Sequence, residues 1–434
     1  MQLRLRFIPL LVAGAFLGIA NAGANPPAVT PLLIEWNERV LAVAQAEDRF
    51  LTLKGLRTAA MMHVAIHDTL NAIEPRYHSY RYHAERPDAD PLSAAAQAAF
   101  QIAVSQYPDQ RATFETLLQR WPRTDVDQST RQAGIELGEA AAQAILAARE
   151  GDAWNSEAEY TWHPMAPGVY AEFAEHSGTP EGFVFGAGWA AARPFMLERQ
   201  NQFRAPPPPA IDSPAYAVAF DEVKDVGRFE SASRSADQTH LALWWKDFAE
   251  NSHNRLARQL AAEQELDARQ AARLFALLNM SIYDAYINVF ENKFHYNHWR
   301  PYTAIRWAAN DGNPATAADP EWDNTHRHTY AFPSYPSAHG CACAAAMTVL
   351  AETFGKDHGF TMTTANVAAA GPFSEEIAMD PPQRSFPNFA QAAEECALSR
   401  VYLGIHFRYD STAGNVLGRQ IGEYALANFL QPTP

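Results

Sequence analysis

The feature that most constrains the fold is a repeat. RTAAMMHVAIHDTLNAIE, from Arg57, aligns with RLFALLNMSIYDAYINVFE, from Arg273, setting Arg57 against Arg273, Ala60 against Ala276, Ile66 against Ile282 and Asp68 against Asp284. Further on, STRQAGIELGEAAAQAI, from Ser129, parallels STAGNVLGRQIGEYALA, from Ser411, with Leu137-Gly138 against Leu417-Gly418 across a short gap. The paired segments keep the same order in both halves. Each is amphipathic at the helical period, and alternation of the strand type is scarce along the chain. One amphipathic helix cannot bury its own apolar face, so the pattern predicts an all-α protein of duplicated four-helix bundles. The competing explanation is the default likeness of Ala-rich helices.

The chain opens on MQLRLR and an apolar run, FIPLLVAGAFLGIA, followed by the small residues around Ala20 and Ala22. That pattern predicts a signal peptide over residues 1–22 and export to the periplasm or medium; the run is short for a membrane span. Beyond it we expect an N-terminal degenerate helical bundle (23–150), a connection rich in Pro, Gly and aromatics (151–235), and a C-terminal catalytic bundle (236–434). The connection is expected to wrap one bundle on the other and to form part of a pocket wall. Trp244 and Trp245 are expected in the core.

The formal charge is −15, or −17 once Arg4 and Arg6 leave with the leader. Nucleic-acid binding and adhesion to anionic lipid are therefore disfavoured. The three cysteines, Cys341, Cys343 and Cys396, are too few for a disulfide scaffold. Cys341 and Cys343 are expected as small core residues; a bond from Cys396 to one of them is left open, with no sequence feature in its support. His63 and His67 stand one helical turn apart, but no third ligand accompanies them; they are expected to be hydrogen-bonded core residues. His295, His298, His326 and His328 lack a zinc-site spacing, and Arg306 is expected to pair with a carboxylate.

Three stretches carry the chemistry. In SRVYLGIHFRYD, His406 and Asp410 are one turn apart and are expected to share a helix face, so that the carboxylate sets the ring's tautomer. Arg400 can join them only if the chain breaks near Gly404. In KFHYNHWRP, Lys293 and Arg300 are expected on one helix face, with Pro301 stopping the helix. In PSYPSAHG, Ser337 is expected to cap a helix whose first residues are Ala338 and His339. Cations, free helix amides, a hydroxyl and two histidines suit a tetrahedral or five-coordinate oxyanion.

The order K-x6-RP, PSxH, SR-x5-H-x3-D resembles the signature shared by vanadium-dependent haloperoxidases, bacterial acid phosphatases and type 2 phosphatidic acid phosphatases. The resemblance implies that Lys293, Arg300 and Arg400 neutralise the oxyanion, helped by Ser337 and the Ala338 amide. It implies that His406 is the ligand to vanadium or the phosphorylated nucleophile, that Asp410 orients it, and that His339 exchanges protons. Ala338 departs from the family's usual glycine. If that position needs positive φ or close approach to the anion, binding weakens.

The chain's length and its WRPYTAIRWA and DGNPATAADPEW stretches resemble exported bacterial haloperoxidase-like proteins. This branch implies vanadate as cofactor, hydrogen peroxide and halide as small-molecule substrates, and a halide pocket shaped by Phe290 and Phe332. A homodimer is compatible with these features. The alternatives are an acid phosphatase acting through phospho-His406, with a phosphate ester as substrate and no cofactor, and a phosphate-binding protein without turnover.

Overall fold

The computed structural model describes residues 29–122, 125–171, 174–180, 183–372 and 374–433. The expected signal peptide lies outside them. Among the described residues no helix is long and apolar enough to cross a membrane.

The first half contains α1 (Val29–Asp48), α2 (Lys54–Ile73), α3 (Pro91–Gln106), α4 (Arg111–Gln119) and α5 (Gln128–Ala148). The connection holds α6 (Ala174–Ser177) and α7 (Pro214–Val226), and so is less extended than expected. The second half holds α8 (Ala236–Trp244), α9 (Ala249–Glu263), α10 (Ala268–Tyr296), α11 (Pro301–Trp307), α12 (Ala338–Phe354), α13 (Phe389–Tyr402) and α14 (Arg408–Asn428). Two small antiparallel pairs interrupt it: β1 (Phe360–Thr363) with β4 (Gln383–Phe386), and β2 (Asn366–Ala368) with β3 (Glu376–Ala378).

The halves are built alike. The helices α2, α3 and α5 pack on one another as α10, α12 and α14 do, and α4 lies on α3 as α13 lies on α12. Glycines let the helices of each pair approach closely. A Cβ on Gly138 would stand 2.3 Å from the Ala94 carbonyl, and one on Gly418 2.0 Å from the Cys341 carbonyl. The aligned aspartates play the same part. Asp68 accepts the amides of Tyr80, Arg81 and Tyr82, while Asp284 accepts those of Phe195, Met196 and Leu197. Asp284 thereby ties the connection to α10.

Between the bundles α2 packs on α10 and α1 on α9. At this seam Asn37 lies 2.9 Å from His63 and donates to Asn254, which donates in turn to Asn279, all four fully buried. His63 is thus a hydrogen-bonded core residue, as is His67 beside Asp68. Trp244 and Trp245 are buried too. Arg306 departs from expectation: it donates to the Trp322 carbonyl and lies over the Tyr302 ring.

Cys341 and Cys343 are core residues as expected, and the pairing that the sequence left open is decided by the structure. Cys343 and Cys396 form a disulfide between α12 and α13, leaving Cys341 free and buried. Residues 343 and 396 are far apart in sequence, so only the packing of the two helices brings them together.

Candidate active site

Asn297, with φ of 49°, caps α10. Arg300 then stands at the N-cap of α11 with Pro301 in its first turn. Pro301 therefore opens a helix instead of ending one, because its missing amide and fixed φ suit a first turn. Lys293 and Arg300 come from different elements and still converge, both fully buried. Lys293 Nζ donates to the carbonyls of Pro333 and Ser334, at 3.0 and 2.7 Å. Arg300 donates through Nε to the Phe332 carbonyl and through Nη1 to that of Ile405, each at 2.9 Å; its Nη2 has no partner among the described residues.

The chain does break at Gly404, whose φ of 76° reverses it between α13 and α14. Arg400 thus lies in the last turn of α13, and His406 falls two residues before α14, with Asp410 in that helix's first turn. The expected shared helix face is corrected: a helix-start turn joins the pair. His406 Nδ1 is 2.9 Å from Asp410 Oδ2, which also accepts from the Ser334 hydroxyl at 2.5 Å and the Phe407 amide at 3.2 Å. With Nδ1–H turned to the carboxylate, Nε2 keeps its lone pair, and it stands 3.2 Å from Arg300 Nη1.

Ser337 caps α12, accepting the Gly340 amide at 3.2 Å, and its own amide donates to the Asp410 carbonyl. Ala338 is the first residue of α12 and is not among the residues with positive φ. The methyl group therefore needs no left-handed backbone. Arg400 Nη2 donates to the Trp245 carbonyl at 2.7 Å, and His339 Nε2 has no partner among the described residues. Arg400 Nε reaches Ser399 at 3.1 Å.

The electrostatics describe a place built for an anion. Burial pushes Lys293 well down, with Arg300 adding to the shift, and pushes Arg300 and Arg400 down to about 10. Burial likewise keeps the His406 and His339 imidazoles neutral. It raises Asp410 to about 7 even though Ser334 and the cations pull the other way. Uncompensated buried charge costs several kcal/mol per ion, and an entering oxyanion would offset it.

Ala338, His339, Arg400 and His406 line a cavity of about 700 Å3; Lys293, Arg300, Ser337 and Asp410 are fully buried and are not among its lining residues. Phe290 and Phe332 line it as well, their rings 5.2 Å apart. Sequence reasoning missed Ser334, which steadies Asp410, and the Trp245 carbonyl, which orients Arg400. Neither carries a spacing signal. It also missed Glu250 and Tyr286 in the wall. His298 bonds Tyr409 and His326 bonds Tyr330. Among the described residues the one His, Cys and carboxylate group tight enough for a metal is His339, Cys343 and Cys396, whose sulfurs are already joined.

Comparison with known proteins agrees with this fold. Residues 273–432 match the family described as the VCPO second helical-bundle domain. Over that span the chain is similar to vanadium chloroperoxidase, and its fold is that of bacterial vanadium-dependent haloperoxidases. Vanadium chloroperoxidase of Curvularia inaequalis is 25% identical over 272 residues, 50% of this chain and 44% of that protein. The chain therefore matches somewhat under half the length of that curated relative. The first bacterial vanadium-dependent iodoperoxidase structure has a TM-score of 0.75 at 22% identity, over 95% of this chain and 100% of that one. A holo-type bacterial vanadium-dependent chloroperoxidase gives 0.63 at 16%, over 93% and 92%.

Proposed function

We propose that the protein is an exported vanadate-dependent haloperoxidase, in which hydrogen peroxide and halide yield a hypohalous-acid equivalent. The observation that carries this reading is the convergence of three buried cations on a neutral imidazole whose Nε2 is free of its own proton. The unpartnered Arg300 Nη2 and His339 Nε2 fit an oxyanion placed among them.

Lys293, Arg300 and Arg400 would hold the oxygens of vanadate, with Ser337 and the Ala338 amide adding hydrogen bonds. His406 Nε2 would be the ligand to vanadium, and Asp410 would keep the proton on Nδ1. Vanadium, when bound, supplies a Lewis acid that activates hydrogen peroxide toward halide. His339, buried neutral, takes and returns the proton that peroxide loses on binding. Phe290 and Phe332 exclude water beside the site and shape the halide's place. The role falls to the second bundle, residues 236–434. In the first, Asp90 caps α3 and its amide donates to Thr130, as the Ser337 amide does to Asp410. A carboxylate at that cap repels an oxyanion.

Phosphomonoester hydrolysis is the second reading, favoured by the same unprotonated Nε2, whose lone pair could attack a phosphoryl group. A paired assay on metal-free protein separates the two. Bromination of a trapping dye that requires added vanadate, peroxide and bromide, and disappears in His406→Ala, is the expected result. Vanadate-inhibited cleavage of a chromogenic phosphate ester without bromination would overturn it, and silence in both arms would leave a phosphate-binding protein.

A further inference from the structure

The cavity is far larger than halide and peroxide require. Each occupies roughly the room of one water, on the order of 30 Å3, against about 700 Å3 of space. Pockets of about 300–1,000 Å3 hold organic molecules.

Its outer half is walled by rings. Trp189 stands edge-on to Phe185 at 5.1 Å and to Tyr286 at 5.7 Å, and lies 4.8 Å from Phe290. Phe183 is 43% exposed at the mouth, with Leu51 and Phe248 also in the lining. Among these apolar walls sits one buried acid. Glu250 is 4% exposed, and its Oε2 accepts the Tyr286 hydroxyl at 2.8 Å. Burial raises its carboxyl to about 7, so near neutral pH it exchanges a proton readily. The proposed chemistry at Lys293, Arg300 and His406 does not use this group.

Resting on the haloperoxidase reading, we propose that the outer cavity binds the organic acceptor itself, an aromatic alcohol. Its ring packs against Trp189 and Phe183, and its hydroxyl meets Glu250. Aromatic walls favour a flat ring through edge and face contacts, and the Glu250 carboxylate, which already accepts the Tyr286 hydroxyl, has lone pairs left to accept a second hydroxyl. An electrophilic halogen in turn requires an electron-rich carbon. In the step, the new carbon–halogen bond forms as the halogen–oxygen bond of the hypohalous equivalent breaks. The ring C–H bond then breaks, and that proton leaves with hydroxide as water. Glu250 accepts the hydroxyl proton as the ring attacks and returns it afterwards. Halogenation then occurs in the cavity, ahead of escape of the oxidant.

The probe is 2-naphthol. Calorimetric titration of the full chain, without vanadate, halide or peroxide, should show saturable binding at one site. Phe183→Ala and Trp189→Ala should each weaken it by up to about tenfold, the range of one aromatic contact. With the holoprotein, 2-naphthol competing against a trapping dye should take a larger share of bromine than it does from reagent hypobromite. In Phe183→Ala that share should fall to the reagent value. Absence of saturable binding, or a wild-type share equal to the reagent's, overturns the proposal. If the holoprotein brominates neither compound, the haloperoxidase reading fails, and the calorimetry alone decides whether the aryl site stands.

Discussion

Asp410 Oδ2 lies 2.9 Å from His406 Nδ1 and accepts from Ser334 and Phe407 at the same oxygen. One carboxylate oxygen therefore fixes the ring's tautomer, its orientation and the turn that carries it. At the opposite edge of the ring, Nε2 stands 3.2 Å from the guanidinium of Arg300.

Asp410→Asn keeps the shape but offers the ring an amide in place of a full negative charge. Vanadate affinity, read as the vanadate concentration giving half-maximal bromination, should weaken by about 10–100-fold, the usual cost of losing a ligand's carboxylate partner. An unchanged half-maximal concentration would show that the contact is only architectural.

An oxyanion should stabilise the fold because it relieves buried cationic charge. At about 100 times its dissociation constant, vanadate or phosphate should add about 2.7 kcal/mol, visible as a rise in Tm. Lys293→Met should lose most of that rise, even though removing a buried charge can leave the free protein as stable as before.

Acid should destabilise the protein early. Burial lowers seven imidazoles, His63, His253, His298, His326, His328, His339 and His406. Three carboxyls are raised by burial: Glu250, Asp284 and Asp410. A lowered histidine contributes stability above its unfolded value near 6.5, and this is lost as pH falls toward the folded value, about 3 for His63 and about 4 for His253. The raised carboxyls work oppositely: they take up protons in the folded state from about pH 7 downward and offset part of the loss. With imidazoles outnumbering carboxyls, the unfolded chain binds more protons below about pH 6.5, where each unmatched proton costs at most about 1.4 kcal/mol per pH unit. Urea midpoints at pH 7.5, 6 and 5 should fall in that order; a flat series would contradict the burial of these rings.

Reduction should loosen the site as well as the fold. The Cys343–Cys396 bond joins α12, one turn after His339, to α13, one turn before Arg400. Cys343→Ala should lower stability by roughly 2–4 kcal/mol and also weaken vanadate binding. A fall in Tm with unchanged vanadate affinity would confine the bond to a structural role.

The sequence by itself determined the all-helical class, through apolar spacing at the helical period, and the residues that meet at the site, through three ordered motifs. It also marked the break at Gly404, since Arg400 could reach His406 in no other way. What it could not decide was geometry set by contacts across distant segments. Pro301 is equally suited to ending one helix or starting the next, and the left-handed turn at Asn297 selected the second. His406 and Asp410 have helical spacing, yet the chain enters α14 only after His406. The disulfide depends on how α12 lies on α13, and the partners of Ser334, Trp245 and Glu250 lie tens of residues away in sequence. Periodicity is a local property that each segment carries alone, whereas burial, tautomer and cavity shape arise only when segments without mutual sequence signal close around the same space.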